Sequence, residues 1–577
     1  MIDFRNVNTL WASVLVETFH HCGVTTAVVC PGSRSTPLTI AFANHPQLDA
    51  IPILDERSAS FFALGRAKKT GLPTILVCTS GTAGANFYPA VIEAQQSGVP
   101  LIILTADRPP ELRHCHAGQT IDQVKLYGNF PNWQGELAIP EASLAMLGYL
   151  RQTIVQAWRH SLLPTPGVVH LNLPFREPLA PIKQPLLEEI ETEFPRDFFA
   201  GITSNLSNSL ASKPISLPWN SWQGKSGIII AGLAQPQDPE TYCQAIAFLS
   251  QQLSFPVLAE ALSPLRNYAQ LNPYLISTYD SILRQGQQLT PEVVIQVGEL
   301  PTSKQLRTWL QELDVPRWVI DARIDNFDPL HGKTTHLSTS LEQLVRDPLK
   351  IAHQIPSPLP SVYCQQWRTL EAVTRASIDQ TLASLIQMYE GKAAWLISQT
   401  LPSDTPIFLA NSMSVRNAEY FWQPNQRQIV PYFNRGANGI DGTLSTALGM
   451  AYLDSGVLLT GDLAFLHDTN GLLIKQKFQG HLTIILINNH GGGIFEILPI
   501  ADFPGFEEYF ATPQAVNLPQ LCGAYNLEYV RINHWQQLTD LIENLPQTGI
   551  RVLEIICDRR ADATWLKSNL PLFGKKR

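Results

Sequence analysis

Residues 456–495 read GVLLTGDLAFLHDTNGLLIKQKFQGHLTIILINNHGGGIF. Two apolar runs of strand length, GVLLT (456–460) and HLTIILINN (481–489), flank TNGLLIKQKFQG (469–480), a stretch long enough for one helix. Strand, helix and strand at this spacing make the two runs neighbouring parallel strands. Asp462 and Asn489, 27 positions apart, then stand on adjacent strand ends at the same edge of one sheet. A carboxylate, an amide oxygen and a backbone carbonyl from the glycine triplet form a hard oxygen set. Such a set suits an octahedral divalent ion whose other positions go to water and phosphate oxygens. Glycine amides and helix N-termini close by bind phosphates. Taken singly, Asp462 also reads as a helix cap and Asn489 as a turn residue.

The same alternation extends outward in both directions. TAVVCPGS (26–33), PTILVCTSG (73–81), VPLIILTAD (99–107) and GVVHLNLP (167–174) read as buried strands separated by amphipathic helical stretches. A second set is GKSGIIIAGLAQP (224–236), SFPVLAEALSP (254–264), PEVVIQVGELP (291–301) and RWVIDARID (317–325). A third is PIFLANSM (406–413), GVLLTGDLAF (456–465), HLTIILINN (481–489) and IRVLEIICD (550–558). Stretches rich in Pro, Ser and Asn separate the sets. The expectation is an α/β protein of three doubly wound parallel-sheet domains, at 1–180, 223–352 and 371–577, with linkers at 181–222 and 353–370. Ligands of such sheets bind beyond the carboxyl ends of the strands.

Bulk properties narrow the function. The net charge is -8 over 577 residues, which argues against a nucleic-acid partner and leaves any anionic ligand dependent on local cations. Eight scattered cysteines without a C-x-x-C pair suit reduced thiols in a cytoplasmic protein. The N-terminal MIDFRNVNTLWASVLVETFHHCG has the pattern of an amphipathic helix and not of a signal peptide. No apolar run approaches the ~18 residues of a membrane span. His114, His116, His467 and His490 lie near the motifs but read as loop residues.

The Asp462 and Asn489 spacing resembles the diphosphate-binding signature of thiamin-diphosphate-dependent enzymes, in which G-D-G is followed some two dozen residues later by N-N. Here Leu463 replaces the second glycine after Gly461. The resemblance implies thiamin diphosphate and Mg2+ or Mn2+ as cofactors, with Asp462, Asn489 and the Gly491 carbonyl on the metal. It also implies a glutamate that hydrogen-bonds the cofactor's pyrimidine ring. In "IPILDERSASFFALGRAKKTG" (51–71) residue chemistry alone leaves Asp55 and Glu56 equal, each also fit to cap a helix. The family pattern selects Glu56 as the catalytic residue. Pyrimidine- and diphosphate-binding domains of one site come from different chains in this family, so a homodimer or homotetramer is implied.

Further stretches narrow the branch: CPGSRSTPLTIAFANHP (30–46), CTSGTAGANFYPAVIEA (78–94), LTADRPPELRHCHAGQTIDQ (104–123), NSMSVRNAEYF (411–421) and NRGANGIDGTLSTALGMA (434–451). Together with the GDL form they resemble the menaquinone- and phylloquinone-pathway synthases. Those enzymes decarboxylate 2-oxoglutarate and add the succinyl carbanion equivalent to isochorismate in a 1,4-addition. The resemblance implies cofactor contacts at Ser80, Gly81, Ile440, Gly461, Leu463, Ile494 and Phe495. It implies substrate contacts at Ser33, Arg34, Arg108, Gln119, Ser412, Arg416 and Arg435, since arginine grips a carboxylate with two parallel hydrogen bonds. Core packing is the plain alternative for Ile440 and Phe495, and a structural salt bridge for Arg108. Rival readings are another thiamin-dependent carboligase or 2-oxoacid decarboxylase, an inactive scaffold of the same fold, and a dinucleotide-binding oxidoreductase. The last lacks a G-x-G-x-x-G after a strand.

Overall fold

A computed structural model describes residues 2–204, 217–287, 289–343 and 359–575. Its strands form three six-stranded sheets in which every pairing is parallel. The first contains β1 (Thr26–Val29), β2 (Asp49–Pro52), β3 (Thr74–Cys78), β4 (Leu101–Asp107), β5 (Trp133–Glu136) and β6 (Val168–Pro174), in the order β2-β1-β3-β4-β6-β5. The second contains β7 (Gly227–Ala231), β8 (Val257–Ala259), β9 (Leu275–Ile276), β10 (Val293–Val297), β11 (Arg317–Asp321) and β12 (Thr334–Ser338), in the order β12-β11-β10-β7-β8-β9. The third contains β13 (Pro406–Leu409), β14 (Val430–Tyr432), β15 (Ser455–Gly461), β16 (His481–Asn488), β17 (Glu528–Ile532) and β18 (Gly549–Ile556). Its order, β14-β13-β15-β16-β18-β17, repeats that of the first sheet strand for strand.

Helices cover both faces of such sheets, and the central strands are buried accordingly. Every residue of β4, β6 and β16 is buried. The three-sheet α/β architecture is the one expected from the alternation of apolar runs.

Contacts along the chain gather into two compact units. One comprises Met1–Ala211, Asn434–Tyr452 and His467–Gln479 and holds the first sheet. The other comprises Ser212–Phe433, Leu453–Leu466 and Gly480–Arg577 and holds the second and third. Parts of both stretches read as linkers, 205–216 and 353–358, lie outside the described residues. The remainder carries a 3-10 turn at Pro185–Leu187, a short helix at Glu188–Glu193 and the start of a long helix, Val362–Ser384.

Three helices carry or adjoin candidate residues: α1 (Glu56–Thr70) and α3 (Thr443–Ala451) in the first unit, and α2 (Glu390–Thr400) in the second. Within the first unit α1 and α3 pack at very close range. A Cβ added at Gly65 would lie 2.0 Å from the Thr446 carbonyl oxygen, and one at Gly449 would lie 2.0 Å from that of Phe62. The contact is reciprocal: each glycine meets the residue three before its counterpart.

One local expectation differs. The sequence pattern puts the helix between β15 and β16 at TNGLLIKQKFQG (469–480). The α-helix there is Asp462–His467, and Thr469–Gln476 is a 3-10 helix. Asn470 and Gly471 are poor α-helix formers. Asp468 turns its carboxylate inward to accept hydrogen bonds from the Ser445 amide (2.6 Å) and hydroxyl (3.0 Å).

Candidate active site

The parallel register of β15 and β16 sets Gly461 opposite Ile487, so Asp462 and Asn489 leave adjacent strand ends. One Asp462 oxygen accepts the Leu463 amide at 2.9 Å and the other accepts the Gly491 amide at 2.9 Å. The carboxylate thus closes the glycine turn onto its own strand end. Burial pushes the Asp462 carboxyl up to about 6, against the pull of those two amides and of His490. Gly491 has φ +131, and a Cβ there would meet the Ala511 carbonyl oxygen at 2.3 Å, so no larger residue fits. The Gly491 carbonyl accepts the Gly493 amide at 2.9 Å and keeps a second lone pair.

Asn489 is buried, and its Nδ2 donates to Glu390 Oε2 at 3.1 Å. Its Oδ1 is buried with no hydrogen-bond partner. An orphaned amide oxygen beside a carboxylate and a carbonyl fits a hard divalent cation. Among the described residues no three His, Cys, Asp or Glu side chains converge as a ligand cluster. The His490 side chain is exposed, while its carbonyl accepts from Arg559 at 2.8 Å.

Beyond the turn, Ile494 packs on a cluster that includes Tyr389, Met413 and Phe421. Phe495 meets Phe510 edge-on, with centroids 5.6 Å apart. Gly461 and Leu463 are half-buried at the end of β15.

At the end of β13, Ser412 adopts φ +68, an unusual conformation for a residue with a Cβ. Arg416 lies one helical turn on and donates to the Ser412 carbonyl at 2.7 Å. Burial lowers the Arg416 pKa, while Tyr420 and Glu260 favour its charge.

In the first unit, Asp55 and Glu56 are told apart. Asp55 caps α1, accepting the amides of Arg57 (2.9 Å) and Ser58 (3.3 Å), and it also accepts from Asn470 Nδ2 (2.7 Å). The half-buried Glu56 is left as the first residue of the helix. Its charge is felt by the buried thiols of Cys30 and Cys78.

The ends of β3 and β4 bring Ser80, Gly81, Arg108 and Gln119 together. The Arg108 guanidinium donates to the Ser80 hydroxyl and to the Gln119 carbonyl (3.2 Å), and Gln119 Nε2 donates to the Ser80 carbonyl (3.0 Å). The Gly81 amide donates to Gln123 Oε1 at 2.8 Å. Burial lowers the Arg108 pKa, and the charge of Arg34 lowers it further. Two guanidinium groups beyond the strand ends of one sheet suit an anion with more than one carboxylate. Arg34 donates to the Phe175 carbonyl at 3.0 Å and pairs with Glu177 at 3.4 Å, and its buried Nε has no partner. Ser33 is exposed, and its carbonyl accepts from Thr36.

Arg435 and Ile440 sit in the loop before α3. Buried Glu93 holds that loop, accepting the amides of Gly436 (2.9 Å) and Ala437 (2.6 Å). Nothing in the sequence marks Glu93, Asp468 or Glu390 as a site residue. Each is a single carboxylate within a helical or turn stretch, with no strand end to mark it.

Comparison with known proteins adds the following. The family model described as "Thiamine pyrophosphate enzyme, N-terminal TPP binding domain" matches residues 11–126, and "Middle domain of thiamine pyrophosphate" matches 205–409. The chain is 64% identical to 2-succinyl-5-enolpyruvyl-6-hydroxy-3-cyclohexene-1-carboxylate synthase of Gloeothece citriformis, covering 99% of each. It is 59% identical to the synthase of the same name from Rippkaea orientalis, over 100% of this chain and 98% of the relative. Among solved structures it resembles benzoylformate decarboxylase from Polynucleobacter necessarius, with a TM-score of 0.68 at 15% identity over 95% of this chain and 98% of that one. At that identity the likeness speaks to the fold alone.

Proposed function

The chain belongs to the 2-succinyl-5-enolpyruvyl-6-hydroxy-3-cyclohexene-1-carboxylate synthase family of thiamin-diphosphate-dependent enzymes, and from that premise we propose that it joins the succinyl unit of 2-oxoglutarate, with loss of CO2, to isochorismate. The end product serves menaquinone or phylloquinone biosynthesis. The observation that carries the reading is the buried, partnerless Oδ1 of Asn489 on the strand end next to Asp462.

Thiamin diphosphate supplies the electron sink for decarboxylation when bound. Asp462, Asn489 and the Gly491 carbonyl would hold Mg2+ or Mn2+, and through it the diphosphate. Gly461 and Leu463 flank that anchor, while Ile494, Phe495, Ile440, Ser80 and Gly81 would border the cofactor. Glu56 would hold a proton against the pyrimidine ring, a role that needs a carboxyl not already committed to capping. Arg34, Arg108, Arg416 and Arg435 would grip the substrate carboxylates, with Gln119, Ser33 and Ser412 as polar partners.

The domain division we favour is a pyrimidine-binding domain at 1–180, a central domain at 223–352 and a diphosphate- and metal-binding domain at 371–577. Active sites shared between chains would make the enzyme a homodimer or homotetramer. The free thiols, all buried except Cys115, suit a reducing cytoplasm. Among the described residues no helix is long and apolar enough to cross a membrane.

Incubation with isochorismate, 2-oxoglutarate, thiamin diphosphate and Mg2+ should release CO2 together with the coupled product. Consumption of pyruvate without that product would favour another thiamin-dependent carboligase or decarboxylase. Mass measurement by light scattering tests the oligomer, and a monomer active at nanomolar concentration would refute shared sites.

A further inference from the structure

An amide can serve a cation only through its oxygen, yet its two ends are nearly alike in shape. Packing alone therefore selects weakly between them, and a hydrogen-bond partner that only accepts selects strongly. Asn489 has such a partner. Glu390, the first residue of α2, is buried, and its Oε2 accepts Asn489 Nδ2 at 3.1 Å. A second buried amide, that of Asn417, also hydrogen-bonds the Glu390 carboxylate. The Glu390 backbone amide is in turn fixed by Asp562 Oδ2 at 3.1 Å. On the other side of Asn489, Gly493 stands so close that a Cβ there would be 2.6 Å from Nδ2. The nitrogen end is thus gripped from two directions while Oδ1 has no partner. A carboxylate at the N-terminus of a helix is also favoured by the helix dipole.

We propose that Glu390 is a positioning residue: by accepting Nδ2–H it locks the Asn489 amide with Oδ1 as the end presented to the divalent cation. The inference rests on the reading of Asp462 and Asn489 as metal ligands. Loss of a group that orients a metal ligand costs about 10- to 100-fold in metal affinity.

The test is Mn2+ binding to the full-length protein with thiamin diphosphate present, followed by the electron paramagnetic resonance signal of free Mn2+ at one pH. Glu390→Gln, which keeps size but offers one acceptor to two amides, should bind Mn2+ about 10- to 100-fold more weakly. Its metal-free melting temperature should stay close to wild type. Glu390→Asp, which withdraws the carboxylate by one methylene, should lose affinity similarly and serves if the first variant fails to fold. In an Asn489→Ala background Glu390→Gln should cost nothing further, because the effect passes through the amide. Wild-type affinity in Glu390→Gln, or a full additional loss on top of Asn489→Ala, overturns the proposal. Wild-type affinity in Asp462→Ala and Asn489→Ala instead overturns the metal-ligand reading on which it rests.

Discussion

Glu93 holds Gly436 and Ala437, with its two carboxylate oxygens on two successive backbone amides 343 and 344 positions further along the chain. The loop so held carries Arg435 and Ile440. Glu93→Ala should remove two part-buried hydrogen bonds, to the half-buried Gly436 and the exposed Ala437 amide, at roughly 0.5–1.5 kcal/mol each. The expected result is a raised KM for both dicarboxylate substrates and faster hydrogen exchange over 434–442. An unchanged exchange rate in that loop would show that other contacts suffice to hold it.

Glu56→Gln should retain thiamin diphosphate affinity and lose nearly all turnover. Asp55→Asn is the matched control, because asparagine caps a helix as well as aspartate does, and it should keep most activity. Asp55→Ala removes the cap and should cost about 1 kcal/mol of stability. Equal turnover in Glu56→Gln and Asp55→Asn would mean that neither carboxyl takes part in cofactor activation.

Gly65→Ala places a methyl group 2.0 Å from the Thr446 carbonyl oxygen. Backbone must separate to admit it, at about 1–3 kcal/mol or more. Gly118→Ala meets nothing within 4 Å, and it should change stability by less than about 0.5 kcal/mol. Urea unfolding of both variants decides the matter, and comparable midpoints would argue against the close α1–α3 contact.

Asp468 supplies a pH dependence. Burial pushes its carboxyl up to about 6, opposed by hydrogen bonds from Ser445 and the charge of Arg57. The folded chain therefore holds this proton more tightly than the unfolded chain does. The stabilisation is complete below pH ~4 and is lost as the pH rises through about 6, to the order of 3 kcal/mol. In Asp468→Asn that component should vanish. Denaturant midpoints from pH 4 to 7, wild type minus variant, should fall with rising pH; a flat difference would show that the carboxyl titrates in its usual range.

The strands legible from sequence and those missed divide by their place in a sheet. GVLLT and HLTIILINN announce themselves because β15 and β16 have neighbours on both sides and helices on both faces, so their positions are apolar. WQGE in β5, TTHLS in β12 and EYVRI in β17 lie at sheet edges. They pair on one side only and keep much surface in water, so no apolar run marks them. The two-residue β9 and three-residue β14 are also edges, too short to carry a period. Among the edge strands only β2 carries a strand-like apolar run in the sequence, DAIPIL at 49–54. The site follows the same logic. Asp462 and Asn489 stand where apolar strands stop. Glu390 becomes visible only through Asn489, 99 residues away, and Glu93 only through a loop in another part of the chain.

The reciprocal seat of α1 on α3 has a consequence for how the chain is made. The first unit draws its last segments from beyond residue 433, so the apolar side of α1 that receives α3 stays without its partner while the intervening chain emerges. At ribosomal rates of ~5–20 residues per second, the roughly 240 residues between Ala211 and Ala451 take on the order of 10–50 s. During that interval the face of α1 around Gly65 is without the helix that it meets in the folded chain.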